Sequence, residues 1–300
     1  MPSIQSFVVK TIFRLIKQVS SLHDRTIEEK RAAMETLAKN GSLPKHTTID
    51  TVEYEGVPCD IYSPNNAPDG KLLLYIHGGA YNVGTLASYR LFVSNFSQEC
   101  NIKTIMPGYR LAPEYPFPAA LEDVMTVYGN LLKQGYQAKN LILGGDSAGG
   151  GLCISTLMAA RERGLPMPRG CFVLSPWTDL GMTGESYQTF EHKDAMLKRK
   201  ELTKDAAMYV GNNNLKNPLI SPVFGDLSGL PPLLIQVGSE EMLLDDSKRL
   251  ADVAHEAGVN VSIEVWNGMF HVWQLMWFFM PEAKQAIQEI VKFIWQRFAD

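Results

Sequence analysis

Cysteine is scarce in this 300-residue chain: there are four, widely spaced, with no C-x-x-C pair. That spacing gives neither a zinc-ligand pattern nor a disulfide framework. Cys59, Cys100, Cys153 and Cys171 therefore read as free thiols, which fits a cytoplasmic location. Cys153 and Cys171 fall in a helix and an apolar strand and read as small buried hydrophobes. No run of about 18 apolar residues occurs, so no segment is long enough to span a bilayer as a helix. Positive charge is not in surplus, with 28 Lys and Arg against 32 Asp and Glu. The net charge of −4 gives no whole-chain attraction to nucleic acid or anionic membrane. There is no P-loop, and no G-x-G-x-x-G follows a strand, so nucleotide binding has no support. Internal repeats and low-complexity tracts are missing. Residues 1–20 carry Lys10, Arg14 and Lys17 among their apolar side chains, whereas a secretory leader keeps an unbroken apolar core.

What the chain does contain is one highly patterned stretch, Leu141-Ile142-Leu143-Gly144-Gly145-Asp146-Ser147-Ala148-Gly149-Gly150-Gly151. A short apolar run ends in glycines, a serine follows, and a helical pattern begins. Gly145-Asp146-Ser147-Ala148-Gly149 fits G-x-S-x-G, the nucleophile elbow of an α/β-hydrolase when it joins a strand to a helix. The glycines have a steric reason, because neighbouring side chains would collide across so tight a turn. The serine hydroxyl then stands at a helix N-terminus, where backbone N–H groups receive negative charge. The pattern alone occurs often by chance, so its context and partners decide its meaning.

Along the chain, Ile4, Phe7, Val8, Ile12, Leu15, Ile16 and Val19 recur at helical spacing, with Lys10, Arg14 and Lys17 mostly on the other side. This amphipathic helix is expected to pack its apolar stripe on its own protein, over the mouth of the site; a membrane surface is the rival. A second helix is expected from Thr26 to Lys39, stopped by Asn40-Gly41. Residues 48–63 alternate apolar and polar around Glu55-Gly56, the pattern of a hairpin. From Lys71 onward strands and helices alternate, which implies a mostly parallel sheet covered on both faces. Residues 181–217 break that rhythm. The fold class is α/β: an α/β-hydrolase core over 46–180 and 218–300, with a helical cap from 1–45 and 181–217.

Ser147 needs a base. His271 stands in Asn267-Gly268-Met269-Phe270-His271, a loop just past the last strand. His23 and His46 lie in the N-terminal region, His192 in the interruption and His255 on a polar helix, so these read as surface residues. The acid should follow another strand, between serine and histidine in chain order. Glu240, Glu241, Asp245 and Asp246 crowd there. Carboxylates at a helix N-terminus are favoured by its dipole, which accounts for three of the four. Glu241 is expected to be the partner of His271, because it lies on the loop four residues past Val237 while Asp245 begins the next helix. His77-Gly78-Gly79-Ala80 follows the apolar strand at 72–76, the place of an HGGG-type oxyanion loop. Gly78, Gly79 and Ala148 are the expected N–H donors, with His77 bracing the loop.

Together, His77-Gly78-Gly79-Ala80, Tyr109-Arg110-Leu111-Ala112-Pro113-Glu114 with Pro116-Phe117-Pro118-Ala119, Gly145-Asp146-Ser147-Ala148-Gly149-Gly150, and Gly268-Met269-Phe270-His271 make this chain resemble the bacterial hormone-sensitive-lipase-like carboxylesterases. The resemblance covers roughly residues 50–300. It implies an α/β-hydrolase fold, no cofactor or metal, and hydrolysis of small-molecule carboxylic esters with short to medium acyl chains. It also implies a cap that shapes the acyl and alcohol pockets. Two departures stand out. The family's acid is commonly the first Asp of D-x-L-x-D, and here Glu241-Met242-Leu243-Leu244-Asp245 has Glu in that slot. Ala80 replaces the third glycine.

An amidase, deacetylase or peptidase would use the same machinery, and a hydrolase-fold binding protein would use the same fold. A pure binder usually lacks the serine or the histidine, and both stand in motif here. The open edge of the last strand offers a pairing surface for a homodimer.

Overall fold

The structure is a computed structural model that describes residues 2–19, 25–38 and 41–299. The chain opens with helices α1 (Ile4–Gln18) and α2 (Ile27–Ala38) and the hairpin β1 (Thr47–Tyr54) and β2 (Val57–Pro64). Then come β3 (Leu72–Ile76), α3 (Leu86–Cys100), β4 (Lys103–Pro107), α4 (Ala119–Lys133), β5 (Leu141–Asp146), α5 (Ser147–Glu162) and β6 (Gly170–Leu174). Two helices, α6 (Ser186–Thr189) and α7 (Arg199–Val210), interrupt the alternation before β7 (Leu233–Gly238), α8 (Leu244–Glu256), β8 (Val261–Trp266) and α9 (Pro281–Ala299). His23, Lys39 and Asn40, and with Asn40 the expected stop of the second helix, lie outside the described residues.

Among the described residues the strands form one eight-stranded sheet in the order β1-β2-β4-β3-β5-β6-β7-β8. Strands β1 and β2 pair antiparallel, β2 pairs antiparallel with β4, and β4, β3, β5, β6, β7 and β8 run parallel. The apolar run in β3 explains how the sheet is covered. Leu72, Leu74 and Ile76 face a core shared with Leu121 and Val124 of α4 and Leu152 of α5. Leu73 and Tyr75 point the other way, to Phe92 and Phe96 of α3 and Ile287, Ile290 and Ile294 of α9. Both faces are buried, so period-2 alternation shows no polar side. In register, Ile76 is level with Gly145 and Asp146 with Leu174. The parallel strands therefore end together, at the edge where open α/β sheets gather their sites.

The first helix lies opposite to expectation. Its apolar stripe faces solvent, with Ile4 81% and Phe7 64% exposed and Val8, Ile12, Leu15, Ile16 and Val19 also exposed. Its polar side faces the protein. Lys10 Nζ reaches Glu240 Oε2 at 2.8 Å and the Gly268 carbonyl at 3.3 Å. Arg14 donates to the Lys193 carbonyl, and Lys17 to the carbonyls of Glu191 and Asp194. The physical reason is the mixed wall it meets: Val9 and Phe13 pack against the cluster around Phe270, and the rest of the wall offers carbonyls and a carboxylate to the basic side chains. An apolar stripe laid there would strand those acceptors without donors, at a cost of about 1–3 kcal/mol each. The second helix is also held by a polar grip. Arg31 forks onto Glu114 at 2.8 and 2.9 Å and reaches the Asn82 and Ala112 carbonyls.

Candidate active site

Ser147 is the first residue of α5, directly after β5. Its φ is +53°, a left-handed conformation that a serine adopts only where the surroundings hold it there. The flanking glycines make room. A Cβ on Gly145 would stand 2.5 Å from the Ile76 carbonyl oxygen, and one on Gly149 would stand 2.1 Å from it. Strand β3 and the elbow can approach this closely only through backbone.

Ser147, His271 and Glu241 stand in one hydrogen-bonded row. His271 Nε2 lies 3.0 Å from Ser147 Oγ, and His271 Nδ1 lies 2.8 Å from Glu241 Oε2. The other oxygen of Glu241 accepts from the Gly238 N–H at 2.6 Å and from the Ser175 hydroxyl at 2.7 Å. Glu241 and His271 are buried, while Ser147 keeps partial exposure. Burial acts against a charged imidazole, but the hydrogen bond to Glu241 and the charges of Glu241, Asp194 and Asp146 outweigh it. The His271 pKa stands above its ordinary value of 6.5. With Nδ1–H given to the carboxylate, Nε2 presents its lone pair to the serine.

The other carboxylates of that loop are spent elsewhere. Glu240 pairs with Lys10. Asp245 accepts from the Ser186 N–H at 2.8 Å and so ties α8 to α6. Asp246 accepts the N–H groups of Thr178 and Asp179, each at 2.8 Å. Burial, reinforced by the nearby Asp179 charge, pushes the Asp246 pKa up to about 8. His46, His192 and His255 are exposed. No group of three His, Cys, Asp or Glu suited to a metal ion occurs among the described residues.

The loop after β3 differs from expectation at one donor. The Gly78 N–H is already given to Asp146 Oδ1 at 3.1 Å. Asp146 sits beside it because Tyr75 and Tyr89 hydroxyls hold its two oxygens at 2.9 and 2.8 Å. Among the described residues, the N–H groups of Gly79, Ala80 and Ala148 have no protein acceptor. Gly79 has φ +112°, and a Cβ there would stand 2.2 Å from the Val83 carbonyl oxygen. His77 packs under the loop. Its Nδ1 lies 2.8 Å from the Gly78 carbonyl, its ring stacks on Tyr109 at 4.2 Å, and burial lowers its pKa to about 4. A neutral Nδ1–H there fixes the loop from below.

Ser175, Asp146, Asp194 and Lys10 escaped the sequence reading. Ser175 and Asp194 fall in stretches with no motif, and Lys10 looks like any basic residue on an amphipathic helix. Asp194 accepts the Met242 N–H at 2.9 Å, next to Glu241. Only Asp146 carried a signal, its position inside the elbow.

Residues 73–275 match the family described as alpha/beta hydrolase fold, Abhydrolase_3. An acetyl-hydrolase of Streptomyces hygroscopicus is 43% identical over 220 residues, covering 73% of this chain and 74% of that protein. The crystal structure of an esterase from the bacterial hormone-sensitive lipase family superposes with a TM-score of 0.94 at 38% identity, covering 99% of each chain. The structure of EstE5 soaked with p-nitrophenyl butyrate matches with a TM-score of 0.94 at 37% identity, covering 99% of this chain and 100% of that one.

Proposed function

The chain belongs to the α/β-hydrolase family, among the bacterial hormone-sensitive-lipase esterases, and on that premise we propose that it cleaves carboxylic esters with short to medium acyl chains through Ser147, His271 and Glu241. One observation carries the reading: the unbroken row from Glu241 Oε2 through His271 to Ser147 Oγ, with links of 2.8 and 3.0 Å. His271 Nε2 takes the Ser147 proton as the oxygen attacks the ester carbonyl. Glu241 holds the imidazole in the working tautomer and offsets its charge. Gly79 and Ala148 donate to the oxyanion, and Ala80 takes the place expected of Gly78, whose N–H is engaged. Each such donor contributes about 2.7–4 kcal/mol to the transition state. Protonated His271 then gives its proton to the leaving alcohol, and water repeats the sequence on the acyl-enzyme.

Residues 1–45 and 181–217 form the cap in this reading. The Tyr209 ring of α7 stacks on Tyr81, beside the oxyanion loop, at 3.7 Å. Pairing of two copies at β8 is supported by its edge position and by the exposed Ile263 and Val265. The four buried free thiols suit a cytoplasmic location.

The short acyl range is supported by the relatives, an acetyl-hydrolase and an esterase soaked with a butyrate ester. The test is turnover on p-nitrophenyl esters of graded acyl length, with Ser147→Ala alongside. Acetyl and butyryl esters should turn over fastest, and folded Ser147→Ala should be inactive. Wild-type turnover by that variant overturns the reading.

A further inference from the structure

We propose that Ser175 is a positioning residue that locks the Glu241 carboxylate onto His271 and ties acid and base to one another. Ser175 comes directly after β6, is fully buried, and has φ +44°. Its N–H donates to the Gln236 carbonyl at 2.7 Å, so β7 fixes its backbone.

The hydroxyl has one proton to give and lone pairs to receive with. The proton goes to Glu241 Oε1 at 2.7 Å. A lone pair receives the N–H of Val272 at 3.1 Å. Val272 is the neighbour of His271 in the chain and is itself left-handed, with φ +46°. One oxygen atom thus spans the two loops that carry acid and base. Glu241 and His271, the pair that this bridge ties together, are 30 apart in sequence.

The glutamate makes the bridge matter. Glu has one more rotatable bond than Asp, so holding its carboxylate in one pose removes more side-chain freedom. Two donors converge on Oε1, the Gly238 N–H at 2.6 Å and the Ser175 hydroxyl. With Oε1 occupied, Oε2 is the oxygen left for the imidazole. Ser175 touches no reacting atom. It acts through Glu241, and the inference rests on the triad reading above.

The test compares Ser175→Ala and Ser175→Gly with wild type and Ser147→Ala on p-nitrophenyl acetate. Glycine takes a left-handed φ without strain, so it removes the hydroxyl while easing the backbone. Both Ser175 variants should lose about tenfold to a hundredfold in kcat, the size of effect a displacement of about 1 Å brings. KM should stay close to wild type. The acid limb of kcat/KM should move to lower pH, because a loosened Glu241 no longer supports the His271 charge as well. The downfield Nδ1 proton resonance of His271 should shift or broaden, a readout that a general loss of packing in a folded variant does not produce.

Wild-type kcat and an unmoved acid limb in the glycine variant overturn the proposal, even where Ser175→Ala fails to fold. Recovery by glycine of what alanine loses also overturns it, since strain and not the hydroxyl would then be the cause. If Ser147→Ala is dead while both Ser175 variants behave as wild type, only this proposal falls. If Ser147→Ala turns over normally, the triad reading falls with it.

Discussion

Lys10 and Glu240 meet at 2.8 Å, with the ammonium buried against the body of the protein. Glu240 is the residue before Glu241, and the same ammonium reaches the Gly268 carbonyl in the loop that carries His271. A helix at the start of the chain therefore braces both loops that carry Glu241 and His271.

Lys10→Met keeps the stem and removes the charge. Glu240 remains partly exposed and is rehydrated in part, so the cost in stability should be about 1–2 kcal/mol. Turnover should fall as well, because two loops lose a common tie. Thermal unfolding and steady-state kinetics on one preparation check both.

Glu241→Gln should lower kcat by as much as about 10⁴-fold, the penalty for losing the acid of a serine-protease triad. Ester binding should survive. Asp245→Asn should leave kcat near wild type. It alters an acceptor of the Ser186 N–H, worth about 1 kcal/mol, and should lower Tm slightly. A crippled Asp245→Asn beside a near-normal Glu241→Gln would reverse the assignment.

The pH profile follows from His271. In the proposed mechanism His271 works only when neutral, and its pKa is raised above 6.5. The acid limb of kcat/KM should therefore have its midpoint above that value in wild type and move down in Glu241→Gln. For stability the sign is the opposite. A raised histidine pKa favours the folded state at pH below the unfolded value, and that gain disappears as pH climbs through the folded one.

Asp246 gives a second, separable pH effect. Its folded pKa of about 8 lies well above the ordinary 3.8. Its stabilising contribution is complete below pH 3.8 and fades as pH rises toward 8. Asp246→Asn keeps an oxygen for the Thr178 and Asp179 N–H groups and carries no charge. The variant should show a flatter stability curve from pH 4 to 8, and a higher Tm than wild type at pH 9. Denaturant melts across that range check it.

Much of the frame was legible in the sequence because local patterns and tertiary packing agree there. Ala119–Lys133 and Val261–Trp266 have the bounds that periodicity and breakers suggest. Ser147, Glu241 and His271 were reached from motif and chain order, and the fold brings them within hydrogen-bond distance. What stayed hidden depends on a surface across the gap. Periodicity finds a stripe on α1 but not which side meets the protein, since that depends on the carbonyls at residues 191, 194 and 268. No local pattern shows that the Gly78 N–H turns to Asp146, because that carboxylate is held there by two tyrosines from elsewhere in the chain. Ser175 belongs to the same class, a residue whose role exists only where β6 ends beside β7.

In the elbow pattern, the position of Asp146 is written as open to any residue. In this protein that position is closed. Its two oxygens hold Tyr75 of β3, Tyr89 of α3 and the backbone of Gly78. Asparagine there would offer a donor where one tyrosine needs an acceptor, and alanine would leave two buried hydroxyls and an N–H with nothing to bind. Drift at position 146 is therefore not free to proceed one letter at a time. A change at 146 leaves the hydroxyls of Tyr75 and Tyr89 and the N–H of Gly78 to find new partners, so the loop after β3 is physically coupled to the identity of this one side chain.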